Sequence, residues 1–188
     1  MKINNEDVVA NVKEKTMKLI DENGIKGFNM ADLAKESGLA KDTLYRLIGS
    51  KEKWLMDVLI SKVTNNKRAI VAIINSDDIY ITKLEKIIHE VSNFMFELSS
   101  ENIKEVLEAY PAISEELFDL KSNLDDVIIA FIKSGISNGF FVEDLEAHFL
   151  LEIVNANIFY FFKTDSSNQV RENISKSLNY LLKGVQNG

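Results

Sequence analysis

The sequence predicts an all-α fold, and three observations support this prediction. The chain has 188 residues with one proline and eight glycines, which are too few for a strand-rich protein because turns consume both residue types. Apolar residues recur at spacings of three and four along most of the chain. The content of 46% hydrophobic and 27% charged residues is typical of a globular protein.

Four helices are predicted in the first part of the chain. The first spans residues 5–23, with its apolar residues on one stripe and Gly24 as a left-handed stop. Asn29 caps a second helix over 30–37, and a turn then leads to a third over 41–48. Gly49 ends the third helix, and Ser50 caps a long helix that runs to about Ile74.

Five further helical segments are predicted beyond residue 80. They are separated by polar stretches, by the only proline and by Asn138-Gly139. No internal repeat and no low-complexity stretch interrupts them. The predicted segments are 81–99, 102–109, 112–138, 143–163 and 168–186.

Several classes of protein are disfavoured by what the sequence lacks. Without cysteine there is no disulfide, thiolate metal site or cysteine nucleophile. No glycine-rich phosphate loop, G-x-S-x-G, H-E-x-x-H or Glu-x-x-His pair occurs, which argues against an enzyme and predicts no cofactor. No apolar run resembles a signal peptide or a membrane span, so we expect a cytoplasmic protein without membrane contact.

The charge is unevenly distributed, although the whole chain carries −7. Residues 1–70 contain 13 Lys and Arg against 10 Asp and Glu, a net charge of +3, whereas residues 71–188 contain 9 against 19, a net charge of −10. An excess of basic residues at one end is expected when that end meets phosphates.

Residues 30–49 have the pattern of a helix-turn-helix. Ala34 is small where two helices cross closely, and Gly38 suits a tight turn with positive φ. Apolar residues at Leu33, Leu39, Leu44 and Leu47 pack the two helices together. The third helix then presents polar side chains outward, which suits the major groove of DNA. A polar helical hairpin in an ordinary bundle is the alternative for these twenty residues. The outward residues are Lys41, Asp42, Thr43, Tyr45 and Arg46.

Residues 9–56 as a whole resemble the DNA-binding domain of the tetracycline-repressor (TetR) family. The sequence departs from the family pattern at Thr16, at Ala40 in place of a hydroxyl cap, at Asp42, and at Leu47-Ile48. These departures bear on the operator sequence and not on the fold. The residues that carry the resemblance are Leu19-Ile20, Gly24, Met30, Leu33, Ala34, Gly38, Thr43 to Arg46, Gly49 to Glu52, and Leu55.

The resemblance implies a helix-turn-helix domain over 1–50 and a helical ligand-binding and dimerisation domain over 51–188. It implies that Tyr45 and Lys51 contact phosphates of double-stranded operator DNA. Thr43 and Lys41 are expected at base edges, and Arg46 at a base or a phosphate. Asp42 would lie over a base edge, where it accepts from cytosine N4. Asn29 is expected to cap the second helix and to present its N-terminus to a phosphate. The alternatives are that Asn29 is only a cap and that Arg46 is only a solvated charge.

The family also implies a homodimer formed by the last two helices. Segment 143–163 is apolar around most of its circumference, and segment 168–186 has a clean apolar stripe, which fits this use. The alternative is that both are core helices of a monomer. The residues expected at the interface are Phe149, Ile153, Tyr160, Ile174, Leu178 and Leu181.

An effector pocket for an apolar or aromatic small molecule is implied among the middle helices. At helical spacing, however, any single one of its candidate residues is more often part of the core. His89 and His148 have acidic residues four positions away, but we expect solvated or hydrogen-bonded histidines rather than a metal site. The candidate pocket residues are Phe94, Tyr110, Phe118 and Phe131, with Phe96 and Phe141 as further aromatic residues.

The predicted function is therefore sequence-specific DNA binding by a transcription regulator. The resemblance to the family implies a repressor that a small molecule releases from its operator. The alternative is a helical dimeric scaffold or adaptor that kept the fold and lost DNA binding. The overall acidity, Ala40 and Asp42 favour this alternative.

Overall fold

The computed structural model of the chain describes residues 5–187, without the side chains of residues 5, 118, 119, 121–123, 167 and 168. The predicted pocket residue Phe118 is thus outside the described side chains. The described residues are largely helical, which confirms the predicted all-α class. The helices are α1 (Asn5–Gly27), α2 (Met30–Glu36), α3 (Lys41–Ile48), α4 (Lys51–Ile74), α5 (Tyr80–Leu98), α6 (Glu101–Ala109), α7 (Pro111–Ser137), α8 (Ala147–Thr164) and α9 (Ser167–Lys183).

The chain divides into two compact units. The first unit contains the chain up to Lys62 together with Glu101–Glu116, and the second contains Val63–Ser100 and the chain from Leu117 onward. The first unit thus contains α1 to α3, the start of α4, and α6. The amide of Asn102 in α6 donates to the Asp21 carbonyl of α1 at 3.2 Å, a contact between residues 81 positions apart that no local pattern reveals.

A buried polar pair joins α1 to α4 in the first unit. The indole Nε1 of Trp54 donates to Thr16 Oγ1 at 2.7 Å, and the same hydroxyl donates to the Val12 carbonyl at 2.8 Å. Thr16 is fully buried and Trp54 almost so. The hydroxyl of Thr16, where the family often has a small residue, therefore gives the buried indole N–H its acceptor.

Replacing Thr16 with valine should lower the free energy of unfolding by about 1–3 kcal/mol, because a buried indole N–H then loses its partner. Trp54 is the only tryptophan, so its fluorescence follows the unfolding of the first unit in urea. Thr16→Ser keeps the hydroxyl and is the matched control. Equal losses for the valine and serine variants would show that the hydrogen bond does not matter. A double-mutant cycle with Trp54→Phe, followed by circular dichroism, measures the coupling.

Gly24 bends the first helix instead of ending it. Its φ of 65° and ψ of 172° are non-helical, and a final turn continues to Gly27. The Phe28 N–H donates to the Gly24 carbonyl at 3.0 Å. The positive φ was expected for this glycine, but the predicted helix end at residue 23 differs from the observed one.

In the second unit, two short backbone segments pair with each other, and α8 begins later than the sequence predicts. The N–H of Val142 donates to the Val185 carbonyl at 3.1 Å, and that of Asn187 to the Phe140 carbonyl at 3.0 Å. An isolated antiparallel bridge joins Phe141 to Gln186. The segment expected to begin a helix at residue 143 forms a turn instead, in which the Leu145 N–H donates to the Val142 carbonyl at 3.2 Å, and α8 begins at Ala147.

Two residues expected at a dimer interface belong instead to the core of the second unit. Ile174 is 0% exposed and Leu178 is 3% exposed in the single chain. They lie in one cluster with residues of α4, α5, α7 and α8. Because the chain itself already covers these side chains, a second chain has no access to them, and we assign them to the core.

Among the described residues, no helix combines the length and the apolar character that crossing a membrane requires.

Candidate nucleic-acid interface

A tight turn joins α2 to α3. Gly38 has a φ of 67°, a backbone conformation that favours glycine. A Cβ at this position would have no contact within 4 Å, so glycine is needed for its backbone conformation and not to avoid a clash. The N–H of Leu39 donates to the Ala34 carbonyl at 2.9 Å, which closes the turn against the end of α2. Leu33 and Ala34 are buried where the two helices meet. This geometry is that of a helix-turn-helix.

The third helix has one buried edge and one broad exposed face. Leu44 and Ile48 are buried and Leu47 is half-buried. The five polar residues predicted to point outward are all exposed, and 43% of Tyr45 is accessible. A helix held by a narrow apolar edge can place its other side in a groove. The exposed residues, hereafter the α3 polar face, are Lys41, Asp42, Thr43, Tyr45 and Arg46.

Asn29 caps α2, as predicted. Its Oδ1 accepts from the N–H groups of Ala31 at 3.0 Å and Asp32 at 2.9 Å, and its Nδ2 donates to Asp32 Oδ2 at 2.7 Å. These bonds engage the Asn29 amide within α2 and place a carboxylate beside the helix N-terminus. The engaged amide and the nearby carboxylate therefore make this helix N-terminus less favourable for a phosphate than the sequence indicated.

Ala40 precedes α3 with an extended backbone and makes no side-chain cap. This agrees with the missing hydroxyl noted in the sequence. Asp42 lies in the first turn of α3, where its negative charge favours the helix N-terminus. The helix start is thus stabilised by a charge in place of a hydroxyl cap.

Lys51, at the start of α4, is engaged inside the protein. Its Nζ donates to the Ile25 carbonyl at 3.0 Å and to the Phe28 carbonyl at 2.6 Å, and it lies 5.1 Å from the centre of the Phe28 ring. Burial lowers the pKa of this ammonium. An ammonium has three N–H donors, so one remains for a phosphate. Lys51 therefore ties the end of α1 to α4, whether or not it also contacts DNA.

Residues 14–55 match the family model described as bacterial regulatory proteins, tetR family. This part of the chain is thus a TetR-family DNA-binding domain. The match covers most of α1, all of α2 and α3, and the start of α4. The chain is thus a DNA-binding transcription regulator. TetR-family regulators bind operator DNA, act as dimers and are generally not enzymes.

Solved structures of regulators share the fold over nearly the whole chain. A TetR transcription regulator from Haloarcula marismortui is 16% identical with a TM-score of 0.80, and the alignment covers 97% of this chain and 100% of that one. A transcriptional regulator from Cytophaga hutchinsonii is 18% identical with a TM-score of 0.75 and coverages of 97% and 98%. A TetR-family regulator from Agrobacterium tumefaciens is 15% identical with a TM-score of 0.70 and coverages of 98% and 100%. No curated protein matches the chain.

The second unit contains a cavity of about 180 Å³. Phe94 and Phe131, two of the predicted pocket residues, line it, and so does Phe141. Tyr110 belongs to the first unit and is not among the described lining residues. Phe96 is exposed, with the Arg171 guanidinium 5.4 Å from its ring centre. Of these aromatic residues, Phe94, Phe131 and Phe141 thus line the cavity, whereas Phe96 lies on the surface.

An apolar stripe on α8 is exposed. Phe149 is 59% and Tyr160 is 60% exposed, and Ile153 between them is half-buried. Spacings of four and seven residues place all three on one face of the helix. We call these three residues the α8 stripe. On α9, Leu181 is half-buried and Tyr180 is 68% exposed.

The two histidines are on the surface. His89 Nε2 lies 2.9 Å from Asn93 Nδ2, and His148 is exposed. In the described part of the chain, no group of three His, Asp or Glu side chains is placed to hold a metal ion.

Proposed function

We propose that this TetR-family regulator is a homodimeric repressor that binds operator DNA with the α3 polar face of each protomer and leaves it when a small molecule fills the second-unit cavity. The observation that carries the proposal is the α3 polar face itself, with five exposed polar side chains over buried Leu44 and Ile48. Lysine, arginine, threonine and tyrosine at such positions provide donors for bases and phosphates.

Within the α3 polar face, the residues have different roles. Arg46 and Thr43 read base edges, and Tyr45 donates its hydroxyl to a phosphate. Asp42 is an acceptor for the exocyclic amine of cytosine, because a carboxylate next to a phosphate would be repelled. Asn29 is left out of this set because its amide is engaged within α2.

Operator binding by α3 variants tests this assignment. Fluorescence anisotropy with the DNA upstream of the chain's own gene, at two salt concentrations, should show affinity that falls as salt rises. Arg46→Ala should weaken binding by about 1–3 kcal/mol, roughly fivefold to 150-fold. Thr43→Ala should relax the preference at one base position. Lys133→Ala removes an exposed positive charge from α7 and is the matched control.

The same measurement separates the regulator from the adaptor alternative. Binding that is absent, or insensitive to salt, would support an adaptor and contradict the proposed role of α3. A loss of affinity with Lys133→Ala equal to that with Arg46→Ala would indicate attraction by charge alone.

The proposed dimer interface is the α8 stripe, with Leu181 and Tyr180 of α9 beside it. Exposed large apolar side chains in a contiguous row commonly mark an interaction surface. Two protomers are also needed to place two recognition helices in successive major grooves, about 34 Å apart.

The proposed effector site is the second-unit cavity. A ligand releases DNA only if it binds the released conformation more tightly than the DNA-bound one. The cavity supports this role because it is lined mainly by apolar side chains with a few polar groups, which is typical of sites for small molecules.

A further inference from the structure

The size of the second-unit cavity limits its ligand. Its volume is about 180 Å³, slightly more than an apolar cavity of about 150 Å³ that holds benzene. A ligand that fills it therefore has roughly one ring, or a short alkyl chain, with one small substituent.

The charged residue among the described lining residues of the cavity is acidic. Asp125 of α7, which is half-buried, is one of the residues that line the cavity, as are Asn66 and Asn155. The Nδ2 of Asn66 donates to Glu90 Oε1 at 3.1 Å, which places a second carboxylate directly behind one of the lining amides. No lysine, arginine or histidine belongs to the lining in the part of the chain that the structure describes.

This arrangement selects the charge of the ligand. Apolar walls weaken screening, so a carboxylate among them attracts a cation and repels an anion more strongly than at an open surface. An ammonium carries three donors and no acceptor, and the Asp125 carboxylate can only accept, whereas the two amides offer both an acceptor and donors. A ligand carboxylate would face Asp125 without a compensating positive charge in the described lining.

We propose that the second-unit cavity binds a small apolar primary amine, with its ammonium on Asp125 and its hydrocarbon part among the apolar walls. This inference rests on the proposed function, in which the same cavity is the effector site. It adds the chemical class of the effector and the residue that selects it. Glu90 acts through Asn66, which it holds by a hydrogen bond.

Three probes of similar size and different charge test the inference by isothermal titration calorimetry with the full chain. They are 2-phenylethylamine, propylbenzene and 3-phenylpropanoate. The amine should bind at least about tenfold more tightly than the hydrocarbon, because a charge-assisted hydrogen bond is gained. The carboxylate should bind most weakly of the three.

Asp125→Asn keeps the shape of the side chain and removes its charge. It should weaken binding of the amine by about tenfold to hundredfold and leave binding of propylbenzene unchanged. Unchanged propylbenzene binding also shows that the variant cavity is folded. The matched control is Asp126→Asn, the next residue along the helix, which is exposed and outside the cavity lining. The control should bind all three probes as the unaltered chain does.

The possible outcomes separate this inference from the proposed function. Equal binding of all three probes, tightest binding of the carboxylate, or no binding of any probe would overturn the amine assignment. Full amine affinity in Asp125→Asn would overturn the role of Asp125. Whether bound amine releases operator DNA is measured separately by anisotropy. Amine binding without release would contradict the proposed effector role and leave the binding site intact.

Discussion

Tyr160→Glu is expected to turn the protein into a monomer and to lower its affinity for operator DNA by about 10²–10⁴-fold. The residue is 60% exposed in the single chain, so the substitution costs the protomer little. In a dimer it would place a charge within an apolar contact, where a charge has no partner and is strongly unfavourable. Loss of the second recognition helix removes the gain from bivalent binding.

Sedimentation equilibrium measures the mass, and anisotropy measures the affinity. Phe149→Glu, on the same α8 stripe, should have the same effect. Ile79→Glu is the control, because Ile79 is 70% exposed and lies outside α8 and α9. A Tyr160→Glu chain that remains dimeric would remove the α8 stripe from the interface. A chain that becomes monomeric and still binds the full operator with unchanged affinity would contradict the need for two recognition helices.

The helix-turn-helix was predictable because its determinants are local. Gly38 has the positive φ of the turn, and Leu44 lies on the buried edge of α3. Asn29 accepts hydrogen bonds from two adjacent N–H groups at the start of α2. Each depends on residues within a few positions along the chain. The exposure of Thr43 and Arg46 follows from the same periodicity.

Lys51 illustrates what the sequence could not show. The family pattern suggested a phosphate contact, but its ammonium bonds to the Ile25 and Phe28 carbonyls. Those carbonyls are available because α1 ends at Gly27, and the last carbonyls of a helix have no partner within it. Residue types and their spacing do not show that a side chain donates to a backbone carbonyl more than twenty residues away.

The apolar residues on one face of α9 show a second limit of prediction from sequence. Apolar residues at helical spacing indicate one buried face, and the pattern is the same whether that face meets the chain's own core or another chain. Ile174 and Leu178 turned out to lie in the core. The start of α8 was misplaced for a related reason, because the pairing of Val142 with Val185 joins segments that are distant in sequence.

Gly135 in α7 is required by close packing in the second unit. A Cβ at this position would lie 2.6 Å from Tyr80 Cζ and 2.8 Å from Phe141 Cδ2, and it would also overlap the Tyr80 hydroxyl. Tyr80 cannot readily move away. Its ring stacks on Phe131 with centroids 4.4 Å apart, and its hydroxyl donates to the Phe131 carbonyl at 3.0 Å. Burial also raises the pKa of this hydroxyl, which therefore stays a donor.

Gly135→Ala should therefore lower the free energy of unfolding by about 1–3 kcal/mol, although alanine is the better helix former by about 1 kcal/mol. Urea unfolding followed by circular dichroism measures the loss. In a Tyr80→Leu background, which removes the ring that the new methyl group meets, the same substitution should cost much less or become stabilising. An equal cost in both backgrounds would mean that Tyr80 is not the obstacle. Because Phe131 and Phe141 also line the second-unit cavity, Gly135→Ala should weaken propylbenzene binding as well, which links the packing at this glycine to the proposed effector site.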